Sequence, residues 1–181
     1  CYMTDFDHLP ERYVECAGFK KVASDKTAYA KACRIQMDNQ DVVSGQIIVQ
    51  KQSEKYLVQN IPAAPLTRRE LDAVYALPFT RRYHPSYEAL GGVPAIEEVE
   101  FSIIHNRGCF GGCNFCAIQL HQGRRVTSRS ADSVVREAEA MTHAPGFKGY
   151  IHDVGGPTAN FRLPSCKEQM KNGMCAGGKH C

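Results

Sequence analysis

Cys109, Cys113 and Cys116 stand in the segment RGCFGGCNFCA at the spacing C-x3-C-x2-C. Three thiolates this close can wrap one iron–sulfur cube and leave one of its irons without a protein ligand. A closed structural zinc site normally takes four protein ligands in a tetrahedron. A set of three therefore leaves a coordination position for a molecule from outside. Gly108, Gly111 and Gly112 surround the first two cysteines; they permit positive φ and a tight curl, so that three sulfurs can converge. Backbone N–H groups of such a loop can also hydrogen-bond cluster sulfides, one of the levers on reduction potential.

Other readings of the same residues stay open. The trio and His121 could make a Cys3His zinc site, although x3-x2 spacing is unusual for zinc ribbons or fingers. Unrelated thiols favour buried apolar positions, whereas this loop is polar and rich in glycine. Further on, Cys166, Cys175 and Cys181 are spaced x8 and x5. They could begin a second cluster or a zinc site, or be loose loop cysteines. Cys1, Cys16 and Cys33 follow no pattern and read as packing residues.

The trio needs elements to hold it. EVEFSIIHN reads as a strand whose centre, Phe101, Ile103 and Ile104, is apolar on both faces, as in a buried parallel strand. A polar, glycine-rich loop over about residues 106–129 follows and carries the cysteines. Ser130 caps a helix over ADSVVREAEAMTHA, with Val134, Ala138 and Met141 on one face and Asp132 near its positive end. Residues 149–155, GYIHDVG, read as a second strand. Strand, helix, strand predicts a βαβ unit with parallel neighbours. The loop then follows the carboxyl end of a parallel strand, where barrels and open α/β sheets keep their chemistry.

Upstream, residues 1–23 carry weak signals. Ser24 is the expected N-cap of a helix over DKTAYAKACRIQM, with Ala28, Ala32 and Ile35 on one face. QIIVQ and YLVQN, joined by KQSEK, predict a β-hairpin with a longer loop. IPAAP is an extended connector. Thr67 and Glu70 form a capping box opening a helix over LTRRELDAVYAL, which Pro78 stops. RRYHPSYEALGGVPAI reads as an irregular connector.

The chain has 181 residues, a net charge of +3, and is 43% hydrophobic and 23% charged, which is ordinary for a globular protein. The charge is too small to argue for a nucleic-acid partner. No apolar run approaches the ~18 residues of a membrane-spanning helix, and no secretory signal stands out. Nine cysteines, an odd number, fit thiolates kept for metal in a reducing compartment better than a secreted disulfide framework. A cytoplasmic protein is expected. The chain starts at Cys1 and stops at Cys181 in a Gly- and Cys-rich stretch, so a fragment of something longer is expected. A full βα barrel needs roughly 200–250 residues. Residues 97–181 are therefore expected to hold two strands and one clear helix with an exposed strand edge, and no closed barrel.

The trio, with Phe115 just before its last cysteine, resembles the radical S-adenosylmethionine (SAM) signature. HNRGCFGGCNFCA, HQGR, FKGYIHDVGGPTANF and YALPFTRRYHPSYEALGGVPAI together resemble the YgiQ-type radical SAM proteins from about Ser24 onward. The resemblance implies a radical SAM enzyme. Cys109, Cys113 and Cys116 bind a 4Fe–4S cluster, SAM chelates the fourth iron, and reductive cleavage of SAM yields a 5′-deoxyadenosyl radical that takes hydrogen from an unknown substrate. An electron donor such as flavodoxin or ferredoxin is implied as partner. Phe115 is implied to shield the cluster and face the SAM adenine with its backbone. Gly155 and Gly156 are implied to contact the SAM amino group, though Pro157 stands where the superfamily carries an acidic residue. His121, Arg124 and Arg125 could pair with the SAM carboxylate or brace the loop, and Asp153 could touch ribose or substrate. His105 and Asn106 read as structural.

The expected fold class is α/β: an N-terminal α+β segment over residues 1–95, then the first βαβ portion of a truncated (βα) radical SAM barrel over residues 96–181. A non-catalytic zinc or iron–sulfur module is the competing reading.

Overall fold

A computed structural model describes residues 1–113, 115–157, 159, 161–163 and 166–174. The chain forms two compact units: residues 1–65 with 110–125 and 164–181, and residues 66–109 with 126–163.

The first unit opens with two short strands, β1 (Tyr2–Thr4) and β2 (Val14–Cys16), followed by α1 (Phe19–Ser24) and α2 (Lys26–Asp38). Ser24 ends α1, and Asp25 caps α2 instead: its carboxylate accepts the N–H groups of Thr27 at 2.8 Å and Ala28 at 3.3 Å. A carboxylate one residue closer to the helix wins the cap because it matches both the orphan donors and the positive helix end. Next come β3 (Ile48–Gln52) and β4 (Lys55–Gln59), an antiparallel pair. The expected longer loop is a two-residue turn at Ser53 and Glu54, with Ser53 at φ 52°; the strands pair as far as Gln52 and Lys55. The sheet order is β1-β4-β3-β2, with β2 parallel to β3. Cys16, Ala32 and Ile48 form its buried core, joined by Val22 and Ile35.

In the second unit, α3 (Arg68–Tyr75) begins at the capping box. The Thr67 N–H donates to the Glu70 carboxylate at 2.8 Å and the Glu70 N–H donates to the Thr67 hydroxyl at 3.3 Å. The expected connector includes a 3-10 helix over Pro85–Leu90, which ends where Gly91 turns left-handed at φ 88°. The expected long strand is broken up. Its first residues form a helical turn, α4 (Ile96–Val99), before β5 (Ser102–Ile104) and β6 (Asn106–Arg107). The chain then passes through α5 (Ile118–Gln122), which belongs to the first unit. It returns at β7 (Thr127–Ser128), α6 (Ala131–Thr142) and β8 (Asp153–Gly155). Residues 167–172 form α7 (Lys167–Asn172) in the first unit.

β5 and β8 run parallel in the register Ser102↔Asp153, Ile103↔Val154, Ile104↔Gly155. The βαβ expectation therefore holds: a strand, the Ser130-capped helix α6 and a parallel partner. The predicted burial on both faces does not hold. Ile103 is 1% exposed, whereas its neighbour Ile104 is 43% exposed. Among the described residues, Ile103 packs with Phe101 and Met141, joined by Val134, Ala138 and Phe147, while Ile104 on the opposite face is exposed. The Phe101 and Phe147 rings meet edge to face at 5.3 Å, a preferred aromatic geometry. Among the described residues, the parallel sheet has two strands.

Candidate functional site

One buried arginine fixes the strand that leads into the cysteine motif. Arg129 is 1% exposed. It donates from Nη1 to the Ile104 carbonyl at 2.9 Å, from Nη2 to the Ser133 carbonyl at 2.9 Å and from Nε to the Ser133 hydroxyl at 3.1 Å. Its charge is met by Glu137, which also pairs with Arg81. The guanidinium lies 4.2 Å from the centre of the Tyr75 ring, within cation–π range. A buried charge is tolerated only when paired and hydrogen-bonded, and Arg129 meets both conditions. The result ties the end of β5 to α6 and α3.

Beyond Ile104, His105 joins the two small sheets. Its N–H donates to the Gly155 carbonyl at 2.9 Å and its carbonyl accepts from the Arg129 N–H at 2.8 Å. β6 then pairs antiparallel with β7, Asn106 opposite Ser128 and Arg107 opposite Thr127. The expected long loop is thus closed at its base by a β-ladder and contains α5. Gly108 follows with φ 85°, a conformation glycine adopts without the Cβ clash, and Cys109 comes next, buried at 8% exposure.

Gly155 and Gly156 end β8 beside this exit. A Cβ on Gly155 would sit 2.6 Å from the Asp153 carboxylate, and one on Gly156 would run into the Asn106 carboxamide and the Ala159 carbonyl. Asn106 is fully buried, and neither its Oδ1 nor its Nδ2 has a partner; the His105 Nδ1 is also buried and unpaired. Such orphaned groups are rare in folded proteins. His105 and Asn106, read in the sequence as structural, are both buried here. Asp153 itself is exposed.

In the first unit, Cys113 is exposed and Cys116 half-buried, with the Cys116 N–H donating to the Cys113 carbonyl at 3.1 Å. Phe115 is 92% exposed. Arg124 is buried, its Nη2 reaching the Phe110 carbonyl at 3.4 Å, and Arg125 donates to the Gln169 and Met170 carbonyls at 3.3 and 3.0 Å. Those carbonyls lie in the last turns of α7, where a cation suits the helix dipole. His121 is exposed.

The boundary between the units falls inside the motif, after Cys109. Among the described residues, no three or more His, Cys, Asp or Glu side chains are gathered as metal ligands would be. The chemistry of the donor set still fits a cluster: three thiols, flanked by a left-handed glycine and backbone N–H groups. Cys166 is exposed and caps α7, its sulfur accepting from the Gln169 N–H at 3.3 Å. Cys175 and Cys181 lie outside the described residues. Of the three cysteines read as packing, Cys16 is buried in the first core and Cys33 is half-buried, but Cys1 is exposed. Among the described residues, no helix is long and apolar enough to cross a membrane.

Residues 1–102 match the family described as Radical SAM N-terminal. A UPF0313 protein of Clostridium perfringens is 56% identical over 176 residues, covering 97% of this chain and 27% of the relative. A UPF0313 protein of Clostridium botulinum is 54% identical over 169 residues, covering 93% of this chain and 26% of the relative. The chain thus spans about a quarter of the length of these curated relatives. No solved structure matches.

Proposed function

Since the chain belongs to the radical SAM N-terminal family, with YgiQ-type UPF0313 relatives over nearly its whole length, we propose that it is the cluster-bearing part of a radical SAM enzyme. Cys109, Cys113 and Cys116 hold a 4Fe–4S cluster. When bound, the cluster and SAM supply the one-electron chemistry that starts hydrogen abstraction from a substrate. The chain's own residues do the rest. Gly155 and Gly156 give close backbone access for SAM, Phe115 shields the cluster, and Arg129 holds the strand from which the motif departs. Residues 1–95 form the region preceding the radical SAM domain, and residues 96–181 begin its barrel. An electron donor such as flavodoxin or ferredoxin is the partner, and the compartment is the cytoplasm. The substrate is read by later strands of the longer protein.

The observation that supports this reading is the register Ile104↔Gly155. It sets the strand leading to the cysteine motif and the strand ending in the glycine pair side by side and parallel. Both therefore finish at the carboxyl edge, the edge that binds ligands in barrels and open α/β sheets. The test is anaerobic reconstitution of the metal-free chain with iron and sulfide, followed by reduction and electron paramagnetic resonance with and without SAM. A signal that shifts on adding SAM supports the proposal. A cluster whose spectrum ignores SAM, or one zinc and no iron per chain after anaerobic purification, supports the non-catalytic module instead.

A further inference from the structure

One arginine reaches back into the loop that carries the cysteines. After Cys116 the chain runs through α5 and turns at Gly123, whose φ of 82° is a conformation glycine adopts without strain. Arg124 follows, and its Nη2 donates to the Phe110 carbonyl at 3.4 Å. Phe110 stands between Cys109 and Cys113. The arginine is anchored from the other side too, because the buried Gln169 of α7 donates from Nε2 to the Arg124 carbonyl at 2.8 Å. Arg125 fastens the same helix through the Gln169 and Met170 carbonyls. Phe110, the two arginines and α7 all belong to the first unit.

Arg124 is 8% exposed, and among the described residues no carboxylate stands within ion-pair distance of it. Arg129 is also buried, but Glu137 meets its charge. A buried charge without a counter-charge is unfavourable, and an arginine does not shed its proton to escape. The Arg124 Nε, like the Oε1 of Gln119 in α5, is sealed from solvent without a partner. That edge of the guanidinium touches no solute, so its charge acts through space. What the neighbouring loop carries then decides whether the charge is a cost or a gain. Three thiolates around an iron–sulfur cube make an anionic site, and reduction adds one more negative charge. Away from water, a nearby cation stabilises the more negative state.

We propose that Arg124 is a positioning residue of the cysteine loop whose buried charge raises the reduction potential of the cluster held there, which rests on Cys109, Cys113 and Cys116 holding that cluster. The bond to Phe110 fixes where the charge sits, and the bond from Gln169 fixes the arginine. The guanidinium then favours uptake of one electron by the cluster from a reductant such as dithionite.

The test is a redox titration of the anaerobically reconstituted chain with dithionite and mediator dyes, read by electron paramagnetic resonance without SAM. Arg124→Gln keeps an N–H donor but removes the charge. Its midpoint should fall by at least about 59 mV, a tenfold lower ratio of reduced to oxidised cluster at a fixed potential. Arg124→Met should fall at least as far. Arg124→Lys keeps the charge and should lose less than half as much. Lys171→Met removes the same charge from an exposed position of α7 and should lose less than a quarter as much, because solvent screens it. Loss of iron from both neutral variants, with full content in Arg124→Lys, supports the same role, since the charge is then needed to hold the anionic site at all. The proposal is overturned if Arg124→Gln keeps the original midpoint, if Arg124→Lys or Lys171→Met falls as far as Arg124→Gln, or if all three Arg124 variants lose the cluster. No iron–sulfur signal in the original chain overturns the cluster reading as well, whereas a normal cluster with an unmoved midpoint overturns the role of Arg124 alone.

Discussion

The Arg129 guanidinium donates 2.9 Å to the carbonyl of Ile104, so a fully buried cation just after the return strand β7 holds the last residue of the strand that leads to the cysteine motif. Removing one member of a buried ion pair leaves the other charge uncompensated, at a cost of about 3–5 kcal/mol. Because Glu137 keeps Arg81 as a partner, Arg129→Met should lower stability by less than that, about 1–3 kcal/mol. Arg129→Lys should recover less than half, because an ammonium lacks the planar fork that reaches Ile104, Ser133 and Glu137 together. Urea denaturation measures both; a loss below about 1 kcal/mol for the methionine variant contradicts the clamp.

Asp72 gives the second unit a pH response. Its carboxylate accepts the Ser130 N–H at 2.9 Å, which ties α3 to the cap of α6. Burial pushes its pKa up, but the bonds from Ser130 and Ser133 and the charge of Arg129 outweigh that and hold it below the ordinary aspartate value. A lowered folded-state pKa means a contribution fully present above the unfolded value, near pH 4, and lost as pH falls through the lower folded value. Urea midpoints should thus fall more steeply for the original chain than for Asp72→Asn on going from about pH 5 to pH 3. Parallel pH profiles for the two would refute the assignment. Asp72→Ala should cost about 1 kcal/mol at neutral pH.

Gly156 is tested by the smallest possible addition. Gly156→Ala places a methyl against the Asn106 carboxamide and the Ala159 carbonyl, and overpacking of this kind costs about 1–3 kcal/mol. Asn106→Ala in the same chain removes one of the two obstacles, so the pair should be less destabilised than the sum of the single changes. Strict additivity in thermal melts would mean that the two side chains do not meet.

How much of this was legible beforehand differs by element. The capping box at Thr67 and Glu70, the Ser130 cap and the Val134–Ala138–Met141 stripe are local signals, and each appears where the sequence places it. The start of the expected strand at Glu98 failed because a short acidic run after Pro94 and Ala95 is equally content as a helical turn. Ser24 lost its cap to Asp25, a contest decided by one residue of spacing and one charge. Ile104 looked like a core residue because apolar identity does not say which face will be covered. At the site, the cysteine spacing and the glycine pair could be read directly. The orphaned Asn106, Gln119 and Arg124 could not, since an unpaired polar atom is a property of three-dimensional burial alone.

The uncovered face carries its own prediction. Ile104 is 43% exposed on the face opposite to the buried Ile103, although parallel sheets are normally covered on both faces. Ile104→Thr should change stability by less than about 1 kcal/mol while suppressing self-association of the chain. Light scattering that stays the same, or a large loss of stability, would show that the face is buried in solution.

The central claim is that Cys109, Cys113 and Cys116 together, and Cys166 not at all, hold one iron–sulfur cluster. Iron and sulfide analysis after anaerobic reconstitution, read with Mössbauer spectroscopy, tests this most directly. The account predicts about four irons and four sulfides per chain in the original protein and in Cys166→Ala, and loss of the cluster in each of Cys109→Ala, Cys113→Ala and Cys116→Ala. Full cluster content in any of those three variants, or its loss in Cys166→Ala alone, would contradict it.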